Sequence, residues 1–165
     1  MDRLYSPWRL KYVTAASGET SGGCIFCAAL ERDDALIVFR GTHTFVILNL
    51  FPYNNGHLMV VPNRHIGRLA AATDEELAEL MHLTRTAEIA ITAAYAPHGL
   101  NMGLNLGKPA GAGVLDHLHM HVVPRWEGDT NFMSVVGETR VLPEEIPTTA
   151  TRLRAAFEKL MVAGK

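Results

Sequence analysis

Three histidines alternate with apolar residues in the stretch His-Leu-His-Met-His-Val-Val-Pro, residues 117–124. In an extended strand, alternate side chains share one face and lie roughly 7 Å apart. The pattern therefore predicts that His117, His119 and His121 point to one side, while the apolar residues between them pack into a core. This segment constrains the chain to a sheet with one packed face and one face that carries chemistry.

Three interpretations fit such a row of imidazoles. The row could be an exposed strand face that is rich in histidine. It could be a mononuclear metal site, because neutral imidazole is a common ligand and His-x-His spacing can chelate zinc or copper. It could also be a catalytic site, where one imidazole attacks and its neighbours orient it and bind the anion under attack. The flanking residues must decide between them.

A glycine-rich segment precedes the histidines. Residues 101–113 contain four glycines, one proline and one lysine between two apolar segments. Glycines let a backbone approach a ligand closely, and successive N–H groups in such a turn form a concave anion site. We expect this segment, with Gly111 and Gly113, to form a phosphate cradle; an ordinary hairpin connection is the alternative. Lys108 could add a positive charge there or be solvated.

The only two cysteines of the chain form a Cys-x-x-Cys pair, Cys24 and Cys27. This spacing supplies half of a tetrahedral zinc site, and the remaining ligands would have to be histidines. A reduced, metal-free pair on a turn is one alternative. A redox pair is another, and it would require the motif to open a helix after a buried strand.

Composition indicates a globular rather than a disordered protein. The 165 residues are 48% hydrophobic and 19% charged, with a net charge of −2. This charge argues against a nucleic acid polymer as partner, which normally needs a basic face. We expect no membrane association and a cytoplasmic location, because we find no long apolar run and no leader pattern.

The pattern of turns and apolar residues predicts an α+β fold. Short β-rich segments are predicted at residues 36–40, 44–49, 56–61, 100–106 and 118–124. A long helix should begin at the capping-box sequence of residues 73–76, end near Ala96, and be followed by a C-terminal helix at 148–162. We therefore expect one domain over residues 1–165, with a core at about 24–126, an extension at each end and an antiparallel sheet of about five strands.

Four segments together resemble the histidine triad (HIT) superfamily of nucleotide hydrolases and nucleotidyl transferases. They are the histidine row, residues 24–27, residues 56–65 and residues 101–113, within a resemblance that covers about residues 5–140. Residues 6–9, 116–119 and 125–132 are most similar to the branch that contains bacterial diadenosine tetraphosphate phosphorylases. The resemblance implies the HIT-like fold and a homodimer.

The resemblance also implies roles for individual residues. His119 would be the nucleophile that attacks the α-phosphorus and forms a nucleotidyl-histidine, and His121 would bind the phosphate oxygens. Asn105 would contact the phosphate and ribose. A structural zinc ion would be bound by the four side chains of Cys24, Cys27, His65 and His117, and no organic cofactor is expected.

The implied substrate is a dinucleoside polyphosphate such as diadenosine tetraphosphate, with water or inorganic phosphate as acceptor. Many relatives carry Gln and then Ser or Thr just before the triad, where this chain has Gly113 and Val114; small residues there favour the phosphorylase-like branch. Two other functions stay open, namely a nucleoside phosphoramidate hydrolase and a noncatalytic nucleotide-binding regulatory protein.

Several other side chains have expected places. Trp126 could stack on an adenine or cover a dimer contact. His57 is expected to be structural, and Phe45, Ile47 and Leu50 are expected to lie in the core rather than to grip a base.

Overall fold

Five antiparallel strands form one sheet in the order β1-β2-β3-β5-β4. The computed structural model of the protein describes residues 23–32, 34–130 and 142–163. The strands are β1 (Ile37–Arg40), β2 (Thr44–Leu48), β3 (Leu58–Pro62), β4 (Gly99–Leu104) and β5 (Met120–Arg125). The helices are α1 (Ile25–Glu31), α2 (Asp74–Tyr95) and α3 (Ile146–Ala163), with short 3-10 turns at Leu69–Ala71 and Lys108–Ala110.

The predicted α+β class, the five strands and both predicted helices are confirmed, with ends that differ by up to two residues. Helix α1 was not predicted. Part of the sequence that is most similar to the phosphorylase-like branch lies outside the described residues. This part comprises residues 6–9, together with almost all of the N-terminal extension, and the last two residues of the motif at 125–132.

Helix α2 begins and ends where local sequence dictates. The Thr73 hydroxyl accepts the Glu76 N–H and the Glu76 carboxylate accepts the Thr73 N–H, so the predicted capping box forms. The helix ends at Ala96, which adopts a left-handed conformation with φ of 45° before Pro97. Its apolar positions, spaced three and four residues apart, are buried: Leu80, Leu83, Ala87, Ala90 and Ile91.

Both faces of the central strands are covered, which explains why β2 and β3 are buried at every position. On one face, the strands pack against α2 and α3 through residues such as Val46, Val60 and Val122. On the other face, Phe45, Ile47, Met59 and Val61 pack against Phe26 and Ala29 of α1. β5, which carries the end of the histidine row, lies between β3 and the edge strand β4.

A carboxylate of α2 fixes the turn between β1 and β2. The Glu79 carboxylate accepts the N–H groups of Thr42, His43 and Thr44 at 2.9, 2.6 and 2.6 Å. A Cβ at Gly41 would lie 2.8 Å from the Thr44 carbonyl oxygen and 2.9 Å from the Glu79 carboxyl carbon, so a side chain there would disturb the turn and its carboxylate. Burial by itself would raise the pKa of Glu79, but the donors outweigh it and hold this pKa below its ordinary value.

The expected core residues are found with one exception. Phe45 and Ile47 are buried, as predicted, but Leu50 is 56% exposed, so its expected place in the core is wrong. Leu50 lies just after β2 ends, where the chain leaves the sheet and apolar neighbours are lost. Within the described ranges, no helix has the length and apolar character needed to cross a bilayer.

Candidate active site and metal centre

The three triad histidines lie at the start of β5, but only His121 belongs to the strand. β5 begins at Met120, and the Leu118 N–H instead donates to the Ile66 carbonyl at 2.6 Å. The strand therefore begins two residues later than the pattern predicts, while the three rings stay on one side of it: Phe26 contacts the rings of both His117 and His119. The His119 and His121 rings meet edge to face, with centroids 4.9 Å apart.

His119 is buried with its orientation fixed by the backbone. Its Nδ1 lies 2.8 Å from the carbonyl oxygen of His117, an acceptor, so Nδ1 carries the proton and Nε2 keeps its lone pair. The ring is 5% exposed and contacts the Phe26 ring at 5.2 Å. Burial lowers the pKa of His119 and keeps the imidazole neutral near pH 7. A neutral imidazole with a free Nε2 is chemically a nucleophile.

His121 is oriented by a second histidine. His57 is fully buried, and its Nε2 lies 2.9 Å from Nδ1 of His121. The Tyr53 N–H donates to Nδ1 of His57 at 3.1 Å, so the proton of His57 must be on Nε2 and is donated to His121. It follows that neutral His121 carries its own proton on Nε2, the atom that can donate to an anion.

Burial and the neighbouring His119 together lower the pKa of His121 to about 4. The Tyr53 ring stacks on His121 with centroids 6.0 Å apart. His121 is therefore a neutral hydrogen-bond donor near pH 7, because the surrounding groups disfavour a second proton.

Two cysteines and two histidines converge beside the triad. The cluster consists of Cys24, Cys27, His65 and His117, whose potential ligand atoms all lie within 4.8 Å of one another. Cys24 Sγ is 3.2 Å from His117 Nδ1, and Cys27 Sγ is 3.4 Å from His65 Nδ1 and 3.7 Å from His117 Nδ1. Ligand atoms around a tetrahedral zinc ion are separated by roughly 3.3–3.8 Å. The residues present therefore fit such an ion.

The backbone prepares His117 for a metal. Its Nε2–H donates to the Pro62 carbonyl at 2.9 Å, which leaves the Nδ1 lone pair directed at the two thiols. Helix α1 supplies the thiols, since Cys24 caps its N-terminus and Cys27 lies in its first turn. Burial and the adjacent Cys24 raise the pKa of Cys27, so a bound metal would have to displace a proton there.

The glycine-rich segment lies next to the histidines. Leu104, the last residue of β4, pairs with Met120, so Asn105 follows at the level of His119. Gly107 and Gly111 flank the short 3-10 turn with φ of 85° and 90°, values that favour glycine. Lys108 in that turn is exposed, whereas Asn105 and Gly113 are half-buried. The cradle itself stays a prediction.

Trp126 lies at the opposite end of β5 from His119, roughly 23 Å away along an extended chain. Its backbone N–H donates at 3.1 Å to the Asp129 carboxylate, which also binds the Arg125 guanidinium. Both predicted roles of Trp126, stacking on an adenine and covering a dimer contact, stay predictions.

Sequence reasoning missed three contributors to the site. It assigned His57 only a structural role, did not single out Tyr53, and left Phe26 unremarked between the cysteines. His57 is indeed buried, but its contact with His121 depends on the register of β3 and β5, in which Met59 pairs with His121. No local pattern reports this register. The available signal in the sequence was His57 itself, a polar residue directly before the apolar run of residues 58–62.

Comparisons with known proteins agree with this geometry. The HIT domain family profile matches residues 31–128. A curated protein of Mycobacterium tuberculosis named AP-4-A phosphorylase is 41% identical over 167 aligned residues, which cover 96% of this chain and 86% of the relative.

Two solved structures are also similar. A Zn-bound histidine triad family protein from Mycobacterium smegmatis has a TM-score of 0.70 and 29% identity, and covers 86% of this chain and 97% of its own. A hypothetical histidine triad nucleotide-binding protein from Sulfolobus tokodaii has a TM-score of 0.69 and 29% identity, and covers 83% and 93%.

The chain belongs to the histidine triad family. The resemblance to this family, the HIT-like fold and the expectation of an enzyme of the family are thereby confirmed. The similarity to the tuberculosis phosphorylase also agrees with the phosphorylase-like branch that the motifs indicated.

Proposed function

We propose that this protein is a nucleotidyl transferase that cleaves dinucleoside polyphosphates through His119, with inorganic phosphate as acceptor. The observation that carries the proposal is the hydrogen bond from His119 Nδ1 to the His117 carbonyl, which leaves Nε2 free. Further support comes from the relative named AP-4-A phosphorylase.

The proposed reaction has two displacements at one phosphorus. Nε2 of His119 attacks the α-phosphorus of diadenosine tetraphosphate, the P–O bond to the leaving group breaks, and ATP departs. A phosphate oxygen then attacks the adenylyl-histidine, which releases ADP and regenerates the imidazole. Splitting one difficult displacement in this way is the gain of covalent catalysis.

The neighbouring groups have complementary roles in the proposal. The Nε2–H of His121 donates to an oxygen of the phosphorus under attack, where negative charge grows. Asn105, Gly111 and Gly113 form the predicted cradle beside it. Because Gly113 and Val114 offer no amide or hydroxyl side chain, His121 and backbone N–H groups carry more of this charge.

Product analysis tests the proposal. The protein is incubated with diadenosine tetraphosphate, with and without inorganic phosphate, and the nucleotides are separated by chromatography. ADP with ATP, formed only with phosphate, is expected; AMP with ATP would instead identify a hydrolase. If diadenosine tetraphosphate is not turned over but an adenosine phosphoramidate is cleaved, the protein is a phosphoramidate hydrolase.

His119→Asn tests the nucleophile. We expect turnover to fall by at least about a thousandfold, because the attacking atom is removed, while nucleotide binding persists. His82→Asn, which changes an exposed histidine of α2, is the matched control and should keep wild-type turnover. Unchanged turnover in His119→Asn would exclude His119 as the nucleophile.

We also propose that Cys24, Cys27, His65 and His117 bind a structural zinc ion. The spacing of their ligand atoms and the Zn-bound relative from Mycobacterium smegmatis support this assignment. The ion would act by joining α1 to the start of the triad, and it would leave His119 free to react. Metal analysis after expression in zinc-supplemented medium tests it: one equivalent is expected, and less than about a tenth would refute it.

We propose a homodimer that packs α2 and β4 against their copies. The supporting features are the position of β4 at the sheet edge and the exposed side chains of Met81, Ile89 and Met102. Light scattering should give twice the 18.1 kDa chain mass, and a monomer at micromolar concentration would refute the dimer.

A further inference from the structure

His65 differs from the other three residues of the metal cluster because its side chain is exposed. Cys24 and Cys27 are half-buried, and His117 is buried with a hydrogen bond to Pro62. Beyond its contacts with the His117 ring, 5.0 Å between centroids, and with Cys27 Sγ, the exposed His65 imidazole depends for its direction on the backbone that bears it. The segment between β3 and α2, residues 63–73, provides that backbone.

One side of this segment is attached to the triad. The Ile66 carbonyl accepts the Leu118 N–H, and a Cβ at Gly67 would lie 3.1 Å from Cα of Asp116. These contacts hold the residues that follow His65, but they do not hold the residue before it.

The other side is attached to α2 through Arg64, the residue directly before His65. Its Nε and Nη2 donate to the two oxygens of Glu76 at 2.9 and 2.8 Å, and Nη2 also donates to the Ala71 carbonyl at 2.7 Å. Such a two-pronged, charge-assisted pair specifies geometry more strictly than a single ion contact. The Glu76 side chain is only 7% exposed, whereas that of Arg64 is 53% exposed.

The carboxylate is committed to this arrangement. Glu76 also accepts the Thr73 N–H in the capping box, and Arg64 lowers the pKa of Glu76 to about 2. One charged group therefore joins the start of α2, the Leu69–Ala71 turn and the residue beside His65.

We propose that Arg64 and Glu76 are positioning residues of the metal centre, which hold His65 towards Cys27 and His117 and so raise the affinity for zinc. This proposal rests on the zinc site proposed above. Partners hydrogen-bonded directly to metal ligands typically contribute about 10- to 100-fold in metal affinity, and we expect the lower end of this range for a pair that acts through the backbone next to His65.

Zinc affinity of the full chain, measured by competition with a chromophoric chelator, tests the pair. We expect Arg64→Met to weaken zinc binding about tenfold or more, because no side-chain donor remains for Glu76. Arg64→Lys should lose less affinity, since it keeps the charge without the fork. In the Arg64→Met/Glu76→Gln double variant the losses should not add, as expected for two groups that act as one unit.

Thr73→Ala is the matched control for general destabilisation. It removes the hydroxyl that caps α2 but leaves the Arg64–Glu76 pair intact, so the unfolding temperature should fall while zinc affinity stays at the wild-type value. If Arg64→Met loses no more affinity than Thr73→Ala, the positioning role is refuted.

Failure of the zinc site itself gives a different result. A wild-type protein that binds zinc no better than its Cys24→Ser/Cys27→Ser variant would refute the metal centre and, with it, the role of Arg64 and Glu76. Tight wild-type binding that Arg64→Met leaves unchanged would refute the positioning role alone.

Discussion

The two ends of the triad are held in different ways. At the first end, His117 donates to a backbone carbonyl and directs Nδ1 at the cluster of Cys24, Cys27 and His65. At the other end, His121 Nδ1 accepts a hydrogen bond from the Nε2–H of His57, which is itself fixed by the Tyr53 N–H. We call these the metal end and the imidazole end.

The difference separates stability from chemistry. The metal end connects α1, the segment after β3 and the triad, so its loss should affect the whole fold. The imidazole end sets which nitrogen of His121 carries a proton, so its loss should affect the reaction more than the fold. His119 lies between them and contacts both, because the carbonyl that orients it belongs to His117 and its ring packs edge to face on that of His121.

The largest expected effect is at the metal end. Removing zinc with a chelator should lower the free energy of unfolding of the wild-type protein by about 4 kcal/mol when zinc was present at a thousand times its dissociation constant. Denaturant unfolding with and without chelator measures this loss. Cys27→Ser should start near the lower stability and respond little to chelator. Equal wild-type stability in both buffers would break the comparison, because the metal end would then contribute nothing to the fold.

The next effect is at the imidazole end. His57→Leu should lower turnover about tenfold or more, because it removes one buried hydrogen bond worth about 1–3 kcal/mol. His57→Gln can still donate to Nδ1 of His121 and should recover most of the rate. NMR of the His121 imidazole nitrogens gives an independent measurement. The proton should be on Nε2 in the wild type and in His57→Gln, and Nε2 should lose this preference only in His57→Leu. Equal rates for the Leu and Gln variants would contradict a role for this donor.

Acid should weaken the imidazole end gradually. His121 has a pKa of about 4 in the fold and an ordinary value near 6.5 when unfolded, so the unfolded chain binds more protons between these values. The free energy of unfolding should therefore fall as the pH is lowered from 6.5 to 4. His121→Asn should reduce this slope by up to about 1.4 kcal/mol per pH unit. Denaturant titrations at several pH values give the slope of the unfolding free energy against pH for the wild type and the variant. Identical slopes would show that His121 is not held neutral.

The smallest effect is expected at Lys108. Its side chain is exposed, and water screens an exposed charge, so Lys108→Met should change KM for diadenosine tetraphosphate by less than about threefold. Steady-state kinetics at two salt concentrations measure it. A change in KM above tenfold that disappears at high salt would show that the Lys108 charge binds the substrate phosphates in the predicted cradle. The site would then have a third contributor beside the metal end and the imidazole end.

Local sequence patterns predicted most of the fold. The capping box, the helical spacing from Leu80 to Ile91 and the turns between short β-rich segments each depend on residues close together in the chain. The seven-residue helix α1 is too short for a clear period and was missed. Leu50 was predicted to lie in the core because it is apolar, but apolar character does not report where β2 ends.

The candidate site was predicted unevenly for the same reason. The triad and the cysteine pair are visible in the sequence, but the full set of four metal-site residues came only from the family resemblance. The partnership of His57 with His121 joins residues 64 positions apart, and it depends on strand register that no local pattern reports. The start of β5 at Met120 is equally invisible locally, because the Leu118 N–H pairs with the distant Ile66 carbonyl instead of a strand.

The three backbone N–H groups that Glu79 binds also determine how opening of the fold can be observed. Amides in a turn normally exchange their hydrogens with water quickly, but those of Thr42, His43 and Thr44 are covered by a carboxylate from another element. Their exchange therefore requires α2 to separate from the turn between β1 and β2. Deuterium uptake at these three positions would report the undocking of a 22-residue helix, although the positions lie outside that helix.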